Sequence, residues 1–485
     1  MNRNLSQPVA RVMVAILLLF HFSIPSVGQS RPAGREIVIH LRGVYDSKFS
    51  LLGLSGSRLF KPVVEVSGTK NGGTARLQVP PGEIPSEFVL RCDYRDKESD
   101  TPYPSEKTIF VNNQDLELWI SPKYSNNPDS TWFQQGETEN TAYYKFSAEN
   151  GARKEKLGVI QQFLMNYDDT TSALFKQAIT EYEQRRGQYN AWLLEQRTRD
   201  SALFVSNLYG FQWVPQIPWT GTEKDRVKSL IRHYFDGIDF GNPMLLRTAS
   251  VFKWMDSYVN MYGQLATTVE LRDSLFPAAG RNAIEKAKTG HPKVYGWMVD
   301  YFFRGYEQNG IDAGTKMLQP YLDDPNCLTS KRMEIERRLK GMETLTPGAD
   351  APGFTLPDPD GGTFEFASYK TKKKYLLLLF WSADCSHCAE MVGQIYPWLE
   401  DPAQKKKVDV VAVSLDETDT EIKKWEEKRP ALPGWKHLRA ADGVRSQVAA
   451  DYFILATPVM VLIDAKTRKV VASPNTLPEL MKAVE

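Results

Sequence analysis

Cys385 and Cys388 enclose a Ser-His pair, three residues beyond the apolar run Tyr375 to Trp381 and directly before helix-forming residues. An apolar run of that length reads as a buried strand, so Cys385 falls at a helix N-terminus. Unpaired backbone N–H groups and the helix dipole favour a thiolate there. Cys388 lies one turn further along the same face, within reach of a disulfide that closes a very short ring. Such a ring cross-links almost no chain, so it removes little unfolded-state entropy and makes a poor staple. The pair is built to open and close. A lone Cys-x-x-Cys is also half a zinc site, but zinc needs two further ligands. The other cysteines, Cys92 and Cys327, are isolated, and the six histidines show no ligand spacing, so no metal is expected.

The segment Trp381-Ser-Ala-Asp-Cys385-Ser-His-Cys388 resembles the active-site segment of the thioredoxin superfamily. Seventy residues on, Tyr452-Phe-Ile-Leu-Ala-Thr457-Pro458-Val-Met-Val-Leu-Ile-Asp464 is similar to that family's cis-proline strand. Upstream, the stretch from Gly348 through Pro352 and Phe354 to Gly361 resembles the opening hairpin of the TlpA/ResA-like envelope branch. The resemblance covers about residues 345 to 485, less than a third of the chain. It implies a thioredoxin-like α/β fold in which Cys385 attacks and Cys388 resolves the mixed disulfide. It further implies that Thr457-Pro458 sets backbone groups beside the cysteines to pair with a substrate strand, with Trp381 packed nearby. His387 would stabilise a neighbouring thiolate when charged and make the disulfide more oxidising, as in the histidine-bearing DsbA-type sites. No cofactor is implied. Two positions depart from the family. Leu379 stands where thioredoxin has a buried acid, and Met391 where the ResA-like branch carries a glutamate. Glu390 is one position off and would face about 100° away on the helix. Water, His387 or Glu390 could substitute as proton relay.

Strand and helix patterns around this site extend the organisation over the whole chain. Residues 29–125 read as a β-rich, sandwich-like domain, with alternation in Glu36 to Leu41 and Arg76 to Val79 and a hairpin-turn signal at Asn71-Gly-Gly73. Residues 140–343 read as helical, with Leu174, Ile179, Tyr182, Tyr189 and Leu193 on one expected stripe. Their aromatics are expected in a core, with a docking surface for a partner or a second subunit, hence a homodimer, as the alternative. Glu343 to Gly348 reads as a linker, after which strands and helices alternate over residues 345–485. That order predicts parallel pairing at the sheet centre and antiparallel strands at one end, in a multidomain α+β chain. The helix after Cys385 is expected to break or kink at Pro397, and the one from Thr420 to Lys428 to be capped by Thr420 or Asp419.

Composition narrows the function classes. Lysine and arginine number 60 against 59 aspartates and glutamates, so no field for a polyanion is present and no nucleic-acid partner is expected. Residues 1–28 read as a secretory signal: Arg3 and Arg11 precede or flank an apolar core, Val12 to Phe20, too short to span a bilayer, and cleavage is expected near Gly28. A periplasmic location follows, where disulfides persist and need enzymes to exchange them. The expected function is a thiol–disulfide oxidoreductase acting on disulfide- or thiol-bearing envelope proteins, coupled to a membrane thiol donor or acceptor of electrons. Cys92 and Cys327 are expected as separate buried thiols. Two alternatives stand beside this: a binding or scaffold protein with a thioredoxin-like docking domain, and a peroxiredoxin-like peroxidase. The peroxidase needs Pro-x-x-x-Thr-x-x-Cys, where this chain has Leu378 and Ser382.

Overall fold

A computed structural model describes residues 34–55 and 59–485. The expected secretory signal lies outside them. The chain is a multidomain α+β protein, with paired sheets first, helices in the middle and a mixed sheet at the end.

The first region is two four-stranded sheets packed face to face. One takes strands Thr74–Val79, Arg35–Leu41, Leu116–Ile120 and Trp132–Phe133 in that order. The other takes Leu59–Lys70, Asp46–Ser55, Ser86–Arg95 and Tyr103–Val111, all antiparallel. Strict alternation drives the packing: Ile37, Ile39, Leu41, Leu77, Leu116 and Leu118 point inward to Phe49, Leu51, Phe88 and Leu90. Asn71-Gly-Gly73 does make a tight turn, with the Gly73 N–H donating to Lys70 O at 2.8 Å. It is no hairpin, however. The strands it joins lie in different sheets, so the turn carries the chain across the sandwich.

Glu139 starts a helix to Asn166, antiparallel to Ala173–Arg199. Its buried carboxylate accepts from Phe204 N–H at 2.9 Å, Val205 N–H at 3.0 Å and Asn112 Nδ2 at 2.7 Å, tying sheet to helices. The expected stripe holds for Tyr182, Tyr189 and Leu193, but Leu174 is exposed and its neighbour Phe175 is buried in its place. A helix Val269–Lys288, which Pro277 hides from periodicity analysis, joins the helices Ser250–Gly263 and Pro292–Gln308 around Tyr258, Tyr295, Phe302 and Tyr306. Most of the aromatics are therefore core.

The last region is a five-stranded sheet in the order Lys436–Arg439, Val408–Ser414, Tyr375–Trp381, Val459–Asp464 and Val470–Ala472. The first three strands are parallel and the last two antiparallel, the mixed pairing expected. Tyr375–Trp381 is buried on both faces, and so is Val408–Ser414, because helices cover each side. Two details differ from expectation. The helix Ser386–Glu400 is not broken at Pro397, and Thr418 rather than Thr420 or Asp419 caps Asp419–Lys428, in a reciprocal capping box with Glu421. Nor is Glu343 to Gly348 a free linker. Helix Arg332–Thr344 runs to its start, and the following backbone pairs with the final hairpin, Gly348 N–H to Val470 O and Val470 N–H to Ala349 O, both 2.8 Å.

Candidate redox site

The central strand ends at Trp381, and four residues later Cys385 takes the N-cap position of Ser386–Glu400 with extended backbone (φ −94°, ψ 121°). Its Sγ accepts from the Cys388 N–H at 3.2 Å, which satisfies one of the helix's unpaired donors with sulfur rather than with the usual side-chain oxygen. Thr457 O lies 3.6 Å from the same sulfur, and the Thr457–Pro458 peptide is cis. The structure thus brings together Cys385, Cys388 and Thr457-Pro458, which are separated by seventy residues in the chain.

The two thiols differ in environment. Cys385 is partly exposed, whereas Cys388 is fully buried in a cluster with Trp381, Ala383, Ile395 and Met460. Burial raises the Cys388 thiol well above its ordinary range, and the adjacent Cys385 adds to that. Cys92 and Cys327 are likewise buried free thiols, far apart in separate clusters; burial pushes Cys92 up to about 12 and raises Cys327. Trp381 packs beneath the site, its indole N–H buried without a partner. His387 is exposed on the first turn of the helix, and Glu390 is exposed on the next.

Sequence alone missed the acid. Asp416, fully buried just past the end of Val408–Ser414, accepts from Ser382 Oγ at 2.5 Å, Ser414 Oγ at 2.7 Å and Ala383 N–H at 3.0 Å. These neutral donors compensate a carboxylate removed from water. Leu379, by contrast, is buried among apolar side chains. The loop between strand and helix is pinned from a second direction by Lys428, which donates to Ala383 O at 2.7 Å, and by the ion pair of Lys424 with Asp384. The register of the paired strands, which the sequence does not state, is what brings Asp416 here. Two parallel strands in register, Trp381 opposite Ser414, must end level, so residues just beyond both ends become neighbours.

Such an arrangement can do nucleophilic thiol exchange: a reachable sulfur at a helix start, a second sulfur one turn inside, and a backbone carbonyl beside the first. Among the described residues, no group of three or more histidine, cysteine, aspartate or glutamate side chains could hold a metal ion.

Residues 347–473 match the AhpC/TSA family. A thioredoxin-like protein from Bacteroides caccae aligns at 16% identity over 56% of this chain and 96% of its own, with a TM-score of 0.36. A thiol:disulfide interchange protein from a Bacteroides species aligns at 28% identity over 29% of this chain and 90% of its own, TM-score 0.24. A thiol-disulfide oxidoreductase from Bacteroides fragilis aligns at 25% identity over 27% and 95%, TM-score 0.25. No curated protein matches the chain. The C-terminal region is a thioredoxin-like domain, as its strand order and the family match both state.

Two outcomes follow from this geometry. Iodoacetamide at neutral pH should modify Cys385 alone in the reduced protein, with Cys388, Cys92 and Cys327 reacting only after unfolding; peptide mass spectrometry reads this directly. Asp416→Ala orphans the buried Ala383 N–H and should lower stability by about 1–3 kcal/mol in denaturant titration, whereas Asp416→Asn, which keeps an acceptor, should recover part of the loss.

Proposed function

We propose that the protein is an exported thiol–disulfide oxidoreductase that exchanges disulfides with proteins of the bacterial envelope through Cys385 and Cys388. The observation that carries this is the asymmetry of the pair: one sulfur at the helix N-cap, partly exposed, the other buried one turn in. Exchange needs that asymmetry. Cys385 attacks a substrate sulfur, forming a mixed disulfide and releasing the substrate's other sulfur as a thiolate that takes up a proton. Cys388, once deprotonated, attacks Cys385 Sγ, expels the substrate's first sulfur as a thiol and leaves the Cys385–Cys388 disulfide. The substrate gains two electrons and the enzyme loses two. A thiol donor or acceptor at the membrane would reset the pair.

The buried Cys388 thiol stays protonated at neutral pH, which keeps it from competing as the first nucleophile. Thr457 O, 3.6 Å from Cys385 Sγ, supports a role for Thr457-Pro458 in pairing with an extended substrate segment. Compartment supports the same proposal, since the apolar N-terminal run with its basic flank suits export and disulfide enzymes work outside the cytosol.

A peroxidase would share the fold and the matched family, and it needs a free hydroxyl near the attacking sulfur. Ser382 stands at that place with its hydroxyl already committed to Asp416 at 2.5 Å, which favours exchange over peroxide reduction. A purely scaffolding role leaves the buried–exposed thiol pair without a purpose.

Trapping decides between these. Cys388→Ser should accumulate mixed disulfides through Cys385 with exported proteins, resolved by dithiothreitol on non-reducing gels; a variant that traps nothing, in a protein that does not reduce insulin, rules out the oxidoreductase and leaves the scaffold. His387→Pro should lower the reduction potential, by roughly 30 mV for each tenfold loss of thiolate stabilisation. A value unchanged or raised in glutathione titration would make the imidazole a bystander, as its exposed position permits.

A further inference from the structure

The loop that carries Thr457 is held by a helix from another domain. Helix Arg332–Thr344 of the middle region lies against the segment from Ala449 to Leu455, the final approach to Thr457-Pro458. Three contacts define the junction. Arg337 Nη2 donates to Ala449 O at 2.7 Å, and the same carbonyl accepts from Ile454 N–H at 2.8 Å, so the guanidinium sits on the turn that launches the loop. Leu455, two residues before Thr457, packs against the core of the middle region rather than that of its own domain. Phe453 is the third, and its backbone is the most informative of them.

Phe453 has φ 55°, in the left-handed region that glycine occupies at helix ends. It follows the short helix Gln447–Asp451, with Phe453 N–H on Ala450 O at 3.1 Å. A bulky residue stays in that conformation only where its surroundings over-determine it. Gly341 supplies those surroundings: a Cβ built on it would lie 2.6 Å from Phe453 Cβ, so helix and loop touch with no room between them. Pairing of Gly348 and Ala349 with Val470 anchors the end of that helix to the sheet of the redox domain. The helix is therefore fixed at one end to the domain whose loop it grips.

We propose that the middle region positions the Thr457-Pro458 loop for protein substrates, through Arg337 and Gly341 on its last helix and through Leu455, the loop residue that packs on its core. The proposal rests on the thiol-exchange function above and assigns to the middle helices a part in it. The chemistry at sulfur belongs to the Cys385 N-cap, which these residues do not touch. The backbone that would receive an extended substrate belongs to the loop, which they do. Hence a loosened junction should damage recognition of a folded or extended protein disulfide and spare a small one.

The test uses the full-length protein carrying Arg337→Ala, Leu455→Ala or Gly341→Ala, the last placing a methyl group against Phe453. Amide hydrogen exchange across residues 453–459 should quicken at least tenfold in each variant, with the strand Tyr375–Trp381 unchanged. KM for insulin reduction should rise about fivefold or more, while the rate with a small aromatic disulfide and the reduction potential stay within twofold and unaltered, respectively. Unchanged loop exchange overturns the proposal, as does faster exchange with an unchanged KM. Equal losses toward both disulfides, with faster exchange throughout the domain, overturn it as well, since that marks general destabilisation. A wild-type chain inert toward both disulfides sinks the oxidoreductase function instead, and the exchange rates of residues 453–459 still decide whether the helix holds the loop.

Discussion

A single sulfur atom filling an N-cap is the contact on which the rest of this structure depends. Helix starts leave amide hydrogens unsatisfied, and a serine or aspartate side chain ordinarily answers them. Here Cys385 Sγ takes that place, accepting from Cys388 N–H. Any charge that develops on this sulfur meets an aimed N–H and the positive end of a helix dipole. The neighbour that supplies the N–H also supplies the second thiol, so capping geometry and disulfide geometry are set by the same three-residue spacing.

Holding a capping sulfur partly in solvent requires a stiff loop beneath it. The strand Tyr375–Trp381 is buried on both faces and gives the loop a rigid start. Asp416 then fastens Ser382 and Ala383 from below, while Lys428 and Lys424 hold Ala383 and Asp384 from the side. The arrangement keeps the polar groups of a tight turn satisfied without water, so Cys388 can lie in a dry cluster one turn away. Dryness on that side and access on the other give the two thiols different surroundings, Cys388 buried and Cys385 partly exposed, the asymmetry on which the proposed exchange rests.

The three regions of the chain are also less independent than their composition implies. Glu139 joins the sandwich to the helices by accepting from Asn112 Nδ2 and from the buried Phe204 and Val205 amides together, and Ala249 N–H on Glu87 at 2.9 Å adds a second joint. Helix Arg332–Thr344 then meets the loop of the last domain. About three hundred residues precede the thioredoxin-like domain, and their far end is in contact with the loop beside its thiols.

Local order was legible in the residues. The apolar run, the Cys-Ser-His-Cys step into a helix and the Thr457-Pro458 strand each obey a short-range rule: a buried strand excludes polar side chains, and a helix start wants a capping atom. Alternation showed the sandwich, and spacing showed most helices, though Pro277 concealed one and Leu174 was placed inward where Phe175 belongs. What tertiary structure alone decided is proximity between distant positions. Asp416 beneath Ser382, Thr457 O beside Cys385, and Gly341 against Phe453 all follow from strand register and helix docking. No single stretch of sequence contains that information, because a side chain's partner across a sheet depends on which strands pair and where they end, and that is settled only when the whole core closes.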